Sequence, residues 1–168
     1  MSHFCYQCGS PVEFRQVEGR PREVCPACGW IHYEQWKVSA GACIERDGRL
    51  LLIQRGNEPW KGCWHMPAGY VEVDESLQTA AERETLEETG LTVQSLSLEG
   101  IFEDIEDPRG NALVVVYRMA LQGGEFRLSS ETSQVGFFSP QEIDLLPIAG
   151  KCGEDIIRSW IEGRQHAG

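Results

Sequence analysis

The sequence predicts an α/β or α+β sandwich domain over residues 38–168, preceded by a small cysteine-bearing segment over residues 1–37. Short apolar strands are mixed with a few helices, a combination typical of such sandwiches. Four of the seven cysteines lie within the first 28 residues. Acidic and basic side chains balance in residues 1–37, so the whole net charge of −11 belongs to the rest of the chain. Both changes place a boundary near Lys37.

Composition narrows the class of protein. With 168 residues, of which 41% are hydrophobic, the chain can bury roughly two-thirds of its unfolded surface in a core. No apolar run approaches 18 residues, and the N-terminus lacks a basic and then apolar leader, so we expect a cytoplasmic protein with no membrane partner. The acidic net charge disfavours general binding to nucleic-acid phosphates. An acidic protein can still bind a phosphorylated small molecule where arginine side chains, backbone N–H groups or a metal ion contact the phosphate.

Two C-x-x-C pairs, Cys5 with Cys8 and Cys25 with Cys28, have the spacing of a four-cysteine zinc site. Between the pairs, residues 12–15 and 22–24 are predicted to form two short strands, and residues 19–21 are predicted to form the turn between them. The segment therefore looks like a small zinc ribbon. Four thiolates close the coordination sphere of Zn²⁺, so we expect structural zinc that supplies much of the folding energy. Two disulfides and a redox-active pair are the alternatives, which the odd number of cysteines and the missing leader disfavour.

Secondary-structure signals follow one another along residues 38–168. Asp47-Gly48 is a hairpin signal, and a loop rich in glycine, proline and tryptophan spans 56–67. A helix is predicted to open at Asp74 or Glu75 and to end before Gly90. The remaining predictions are strands over 38–44, 49–55, 70–72, 112–120 and 134–138, a short helix over 140–146 and an amphipathic helix over 153–162.

Three carboxylates lie on one face of the predicted central helix. Glu84, Glu87 and Glu88 are spaced i, i+3 and i+4, and they continue an apolar stripe that begins at Leu77. Like charges on a partly buried face, close to a helix C-terminus, are unfavourable without a cation. Hard oxygen donors in such a cluster suit Mg²⁺ or Mn²⁺, and Arg83 can orient Glu87. A solvated acidic helix end is the alternative that periodicity leaves open.

A longer pattern surrounds these carboxylates. Gly69 is followed after five residues by Glu75, and after seven more by Arg83-Glu84-Thr85-Leu86-Glu87-Glu88-Thr89-Gly90-Leu91. This string resembles the Nudix box, G-x5-E-x7-R-E-U-x-E-E-x-G-U, and departs from it at Thr85, where the pattern has a bulky aliphatic residue. The flanking segments 62–69 and 135–140 are also similar to the family, and the resemblance covers about 38–163.

The resemblance implies a Nudix α/β/α sandwich with a mixed sheet. It also implies metal-dependent hydrolysis of an acid anhydride, the diphosphate of a nucleoside diphosphate linked to another moiety. Five residues of the box would form the catalytic set: Glu75, Arg83, Glu84, Glu87 and Glu88. The last three would hold the divalent metal beside the backbone carbonyl of Ala68, and the first two would keep the loop–helix–loop in shape. The metal would lower the pKa of the attacking water, and Glu84, Glu87 or a residue outside the box would accept its proton.

Residues outside the box are candidates for substrate binding. Arg55, at a strand end, can meet a phosphate, although a surface role is equally compatible. Trp64 can stack a base, but packing in the core is the stronger expectation for it. Glu103 and Asp104 open an acidic stretch that either brings a further carboxylate to the site or forms a solvated turn. Weaker candidates are Glu131 for a carboxylate and Trp60, Tyr70 and Phe102 for stacking.

A zinc ribbon joined to a Nudix domain is similar to NADH pyrophosphatases and to a shorter group that acts on FAD or ADP-ribose. The ribbon begins at Cys5, without the additional N-terminal domain of the NADH enzymes, and Thr92-Val93-Gln94-Ser95 stands where those have S-Q-P-W. We therefore expect cleavage of ADP-ribose or FAD with release of AMP. The alternatives are an NADH pyrophosphatase, a NAD-cap-removing enzyme, a cleansing enzyme for oxidised nucleoside triphosphates, and a catalytically silent nucleotide-sensing module. Dimers are common in the family, so a homodimer is also expected.

Overall fold

The structure, a computed structural model, describes residues 3–165. The described chain divides into two units, one ending at Gln35 and the other beginning at Trp36. Among the described residues, no helix combines the length and the apolarity needed to span a bilayer.

The first unit contains an antiparallel hairpin. Strands β1 (Glu13–Val17) and β2 (Arg20–Val24) pair along their whole length. Glu18 and Gly19 join them, both with positive φ, so the turn lies one residue earlier than predicted and Arg20 already belongs to the second strand. Isolated bridges extend the unit beyond the hairpin, from Phe4 to Pro11 and from Val24 to Ile31.

Both C-x-x-C turns of the first unit close in the same way. The N–H of Gly9 donates to the carbonyl of Cys5 at 2.9 Å, and the N–H of Gly29 donates to the carbonyl of Cys25 at 3.0 Å. The two glycines have φ of 71° and 77°, which residues with a side chain rarely adopt. The repeated turn presents two pairs of cysteines with matching backbone geometry.

Seven strands form the sheet of the second unit. They are β3 (Lys37–Arg46), β4 (Arg49–Arg55), β5 (Trp64–His65), β6 (Ala68–Tyr70), β7 (Leu91–Asp104), β8 (Ala112–Gly124) and β9 (Thr132–Phe138). The order across the sheet is β5-β4-β3-β8-β7, with β6 beside β3 and β9 beside β4. Strands β3 and β8 are parallel and the other pairs are antiparallel, so the sheet is mixed. Strands β3 and β4 pair next to their hairpin turn, and beyond it each continues with different partners.

Helices cover both faces of this sheet. They are α1 (Leu77–Thr89), α2 (Pro140–Ile143) and α3 (Gly150–Gln165). Neighbouring residues of β3 point to opposite faces, as the pleat requires. Ala42 belongs to a hydrophobic cluster with Ala80 and Ala81 of α1, whereas Cys43 belongs to a second cluster with Trp160 of α3. The second unit is therefore an α/β/α sandwich with a mixed sheet, which confirms the predicted fold class.

Several element boundaries differ from the prediction. Helix α1 begins at Leu77 and not at Asp74 or Glu75, because Ser76 is its N-cap and accepts the N–H of Thr79 at 3.1 Å. Smaller shifts affect β6, which ends at Tyr70; α2, which ends at Ile143; and α3, which already begins at Gly150.

Strand β7 is an element that the sequence analysis did not predict. Its register with β8 is irregular at three places, between Thr92 and Val93, between Ser95 and Ser97, and between Leu98 and Gly100. Each irregularity shifts the alternation of inward and outward side chains, so the period of two is divided into short pieces, such as Leu91 with Val93 and Leu96 with Leu98. Because β7 runs to Asp104, the start of the acidic stretch belongs to a strand and not to a solvated turn.

Candidate active site

Arg83 connects α1 to the chain that precedes it. Its Nε and Nη2 donate to the carboxylate of Glu75 at 3.1 and 2.6 Å, and Nη2 also donates to the carbonyl of Tyr70 at 3.1 Å. Its Nη1 donates to Glu84 at 2.7 Å. The pairing with Arg83 lowers the pKa of Glu75, and the same hydrogen bonds raise the pKa of Arg83. This geometry supports a positioning role for both residues, since one guanidinium ties the entry loop and β6 to the helix.

Glu84 reaches from α1 to the backbone of β6. A β-carbon added at Gly69 would lie 2.1 Å from the Cδ atom of Glu84. Such a contact is far inside van der Waals distance, so only glycine leaves room for the carboxylate. Burial raises the pKa of Glu84, and the hydrogen bond from Arg83 opposes that rise.

Glu88 lies one turn further along α1 and is 8% exposed. Its Oε2 accepts the backbone N–H of Ala68 at 3.0 Å. Burial, and then the charge of Glu84, raise the pKa of Glu88 to about 8. Glu84 and Glu88 line a cavity of about 440 Å³ together with Ala68 and Gly69. A buried and a partly buried carboxylate side by side favour a bound cation, and their oxygen donors fit a hard divalent ion such as Mg²⁺ or Mn²⁺.

Glu87 lies apart from this pair. Its side chain is 59% exposed and pairs with Nη1 of Arg83 at 3.4 Å, and it is absent from the cavity lining. Within residues 3–165, the four cysteines of the first unit bring their donor atoms within 4.8 Å of one another, as a metal site requires. The three glutamates of α1 do not. The convergence of three glutamates expected from helical spacing is therefore not found, because the i+3 carboxylate points to solvent.

Thr85, the departure from the box pattern, is fully buried in α1. Its hydroxyl donates to the carbonyl of Ala81 at 2.7 Å, and Thr89 donates in the same way to the carbonyl of Thr85 at 2.6 Å. The helix itself thus satisfies both hydroxyls. The polar substitution leaves no unpaired group beside Glu84 and Glu88.

Arginine residues occupy another part of the cavity. Arg55 lines it, and its Nε donates to the carbonyl of Pro59 at 2.7 Å. Burial, and then the charge of Arg109, lower the pKa of Arg55. His65 lines the same region, where burial and the charge of Arg55 lower its pKa to about 3, so this imidazole is neutral.

The sequence analysis missed Arg109, whereas Asp107 is the last residue of the acidic stretch that it considered as a source of a further carboxylate. Both line the cavity from the loop between β7 and β8, and Asp107 holds Arg109 by several hydrogen bonds. The sequence signal for this loop was the Asp-Pro-Arg-Gly turn, which begins at the last residue of the acidic stretch. Of the two acidic residues that were predicted there, Asp104 lines the cavity and Glu103 is exposed outside it. Glu131 also lines the cavity.

The aromatic candidates divide between cavity and core. Trp60 and Tyr70 line the cavity. Trp64 is 6% exposed and packs edge-on against Phe138, with ring centroids 4.7 Å apart, in the core cluster beneath α3. The structure therefore places Trp64 in the core, away from the cavity where a substrate-binding role would put it. Phe102 packs against the same core cluster.

The four predicted zinc ligands come together in the first unit. The Sγ atoms of Cys5 and Cys28 are 3.6 Å apart, and those of Cys8 and Cys25 are 3.5 Å apart. A disulfide requires about 2.05 Å, and the seven cysteines are free. Tetrahedral zinc with bonds of about 2.3 Å places sulfur atoms roughly 3.8 Å apart. The arrangement fits zinc and contradicts the disulfide alternative.

Two family models match the chain. Residues 35–159 match the NUDIX domain, and residues 3–34 match the family described as Nudix N-terminal, a zinc ribbon. The two matches adjoin, and together they span nearly all of the described chain.

Individual relatives agree with these matches. The chain is 35% identical over 125 residues to an ADP-ribose pyrophosphatase of Methanocaldococcus jannaschii, which covers 74% of this chain and 72% of that protein. It is 31% identical over 157 residues to the NAD-capped RNA hydrolase NudC of Chromobacterium violaceum, covering 92% of this chain but only 57% of that one. The crystal structure of a NUDIX hydrolase from Nitrosomonas europaea aligns with a TM-score of 0.86 at 35% identity, over 97% of this chain and 92% of that chain.

Proposed function

The chain belongs to the Nudix hydrolase family, and on that premise we propose that it is a divalent-metal-dependent pyrophosphohydrolase acting on ADP-ribose or FAD. The enzyme cleaves the diphosphate that joins AMP to the second moiety, and AMP is released. The observation that carries the proposal is a pair of carboxylates, the buried Glu88 and the partly buried Glu84, that line the same cavity as Arg55.

The cavity residues account for how a diphosphate is held. Glu84 and Glu88 would hold the divalent ion, Mg²⁺ or Mn²⁺, and the family resemblance adds Glu87 and the Ala68 carbonyl to the ligand set. When bound, the ion neutralises the diphosphate and lowers the pKa of the attacking water. Arg55 contributes a positive charge to the same cavity.

The proton of the attacking water needs an acceptor. Of the two box residues considered for this role, Glu84 faces the cavity and Glu87 faces solvent. This difference favours Glu84 as the general base. Arg83 keeps the Glu84 carboxylate in place through the 2.7 Å hydrogen bond from Nη1, while Glu75 holds Arg83.

The substrate class rests on the relatives and on the shape of the cavity. The M. jannaschii relative is named an ADP-ribose pyrophosphatase, and the match covers most of both chains. The cavity lining includes the apolar side chains of Trp60, Val114 and Ile156. Such a surface suits the flat ring of a nucleotide.

Zn²⁺ in the ribbon is structural, because four thiolates leave no open position for water.

Removal of a NAD cap from RNA is the second candidate, favoured by the match to NudC over both units of this chain. The chain spans 57% of the length of that relative. The net charge of −11 weighs against binding to the phosphates of RNA. A catalytically silent module is disfavoured, because Glu84 and Glu88 are both present and line the cavity.

A hydrolysis panel tests the proposal. Zinc-loaded protein is incubated with Mg²⁺ or Mn²⁺ and with ADP-ribose, FAD, NADH, NAD⁺, CoA, diadenosine polyphosphates, nucleoside triphosphates or NAD-capped RNA, and products are separated by chromatography. We expect AMP mainly from ADP-ribose or FAD. Preference for capped RNA would support the second candidate function. Absence of turnover with every compound would contradict the proposal that the protein is an enzyme. Sedimentation of the same sample tests the homodimer that the family resemblance leads us to propose.

A further inference from the structure

The cavity contains a second charged region that the family pattern does not explain. Arg55 stands at the end of β4, and Arg109 lies in the loop between β7 and β8, yet both line the same cavity as Glu84 and Glu88. The two arginines are close enough for the charge of Arg109 to lower the pKa of Arg55. Two guanidinium groups that repel each other at a half-buried site are stabilised by an anion between them.

Asp107 fixes the orientation of Arg109. Its Oδ1 accepts the backbone N–H of Arg109 at 2.7 Å and Nε at 2.9 Å, and its Oδ2 accepts Nη2 at 2.6 Å. Asp107 is 7% exposed, whereas the Arg109 side chain is 43% exposed, so the carboxylate is buried and part of the guanidinium stays open to solvent and to the cavity. The remaining nitrogen, Nη1, has no hydrogen-bond partner among residues 3–165 and is available to a ligand.

The loop that carries Arg109 is anchored beside the carboxylates. Lys37 donates a hydrogen bond to the carbonyl of Arg109. The centroid of the Tyr70 ring lies 5.4 Å from the Lys37 ammonium and 5.8 Å from the Arg109 guanidinium. Tyr70 directly follows Gly69, against which Glu84 lies. The segment that shapes the carboxylate site therefore also supplies, through the Tyr70 ring, a contact to Arg109 in the cavity wall.

We propose that Arg109 and Arg55 form a phosphate site next to the carboxylates, and that Arg109 determines the preference for a diphosphate over a single phosphate. The inference rests on the proposed function for the identity of the substrate. One phosphate would be neutralised by the divalent ion that Glu84 and Glu88 would hold, and the neighbouring phosphate would be bound by the two arginines. A ligand with one phosphate satisfies only half of the site.

The test replaces charge without leaving an unpaired buried group. Asp107→Asn with Arg109→Gln in one chain keeps a hydrogen-bonding pair but removes both charges. Arg118→Gln is the matched control, because Arg118 makes the same kind of two-point contact with Glu99 at 2.9 and 3.0 Å, and neither residue lines the cavity. Melting temperatures check that each variant is folded.

Titration calorimetry of the zinc-loaded full chain with Mg²⁺ measures the affinity for AMP and for α,β-methylene-ADP, whose bridge resists hydrolysis. We expect wild type and Arg118→Gln to bind the diphosphate at least tenfold more tightly than AMP. The double variant should lose at least tenfold in diphosphate affinity and little in AMP affinity, and its KM for ADP-ribose should rise while kcat stays within about threefold. An unchanged diphosphate preference in the double variant, or no preference in wild type, overturns the inference. Failure of wild type to hydrolyse any diphosphate substrate defeats only the proposed function, since the titration needs no turnover.

Discussion

The Glu84 carboxylate lies directly against the Cα of Gly69, so that a methyl group at position 69 would be 2.1 Å from the Glu84 Cδ atom. This contact joins the last residues of β6 to the middle of α1. It explains in physical terms why the box pattern has glycine fifteen residues before this glutamate.

Gly69→Ala is therefore expected to displace Glu84 and to lower kcat on ADP-ribose at least tenfold. The fold should persist, because Gly69 has no positive φ and one side chain can move aside. Gly163→Ala is the matched control, since no atom lies within 4 Å of the added methyl group. Steady-state kinetics and thermal unfolding check both variants. Wild-type kcat in Gly69→Ala would contradict the role of this contact.

Glu88→Gln should reduce kcat by two or more orders of magnitude while leaving the protein folded. The amide oxygen can still accept the N–H of Ala68, but the charge that holds a divalent ion is lost. Glu82→Gln on the same helix is the control, because Glu82 contacts the N–H of Ser95 outside the cavity. The resemblance predicts a similar loss for Glu87→Gln. Turnover at the wild-type rate in either variant would remove that glutamate from the ligand set.

His65 should make the free energy of unfolding depend on pH. Its pKa is lowered to about 3 in the folded protein by burial and by Arg55, against an ordinary value of 6.5. Between these values the unfolded chain binds the proton and the native state does not, so stability falls as pH falls below 6.5. The loss approaches about 1.4 kcal/mol per pH unit.

Urea unfolding at pH 7, 6, 5 and 4 measures this effect as the difference between wild type and His65→Gln. The variant should lose less stability on acidification, because it carries no titrating ring at this position. Parallel curves for the two proteins would show that His65 is accessible to protons in the folded state.

Cys25→Ser should lower zinc content and destabilise the first unit, because a buried thiolate ligand is lost. Correctly folded molecules should retain the kinetics of wild type on ADP-ribose. Metal analysis, kinetics and unfolding of the same preparation test this. A specific loss of kcat at full zinc occupancy would show that the ribbon takes part in catalysis.

Local patterns predicted much of the fold and part of the site. Strand β4 has the predicted bounds, since an unbroken apolar run follows a hairpin turn. The spacing from Gly69 to Glu88 placed the carboxylates on one helix, and Cys5 to Cys28 placed four thiols in one unit. These features depend on residues close in sequence or on a strongly specific pattern.

The remaining features depend on long-range geometry. Bulges concealed β7, and without β7 the loop carrying Arg109 could not be placed beside Arg55. Helical spacing put Glu87 on the same face as Glu84, but its side chain turned to solvent and to Arg83. Rotamers and loop closure are decided by tertiary contacts, which periodicity does not contain.

The position of Trp60 gives the protein a built-in optical reporter. Of the five tryptophans, Trp60 is the one found in the cavity lining of the described chain, with its indole against the backbone of Gly150. Indole emission responds to the polarity and charge around the ring. Occupancy of the cavity can therefore be followed in real time and without a label, and Trp60→Phe identifies the part of the signal that comes from this ring.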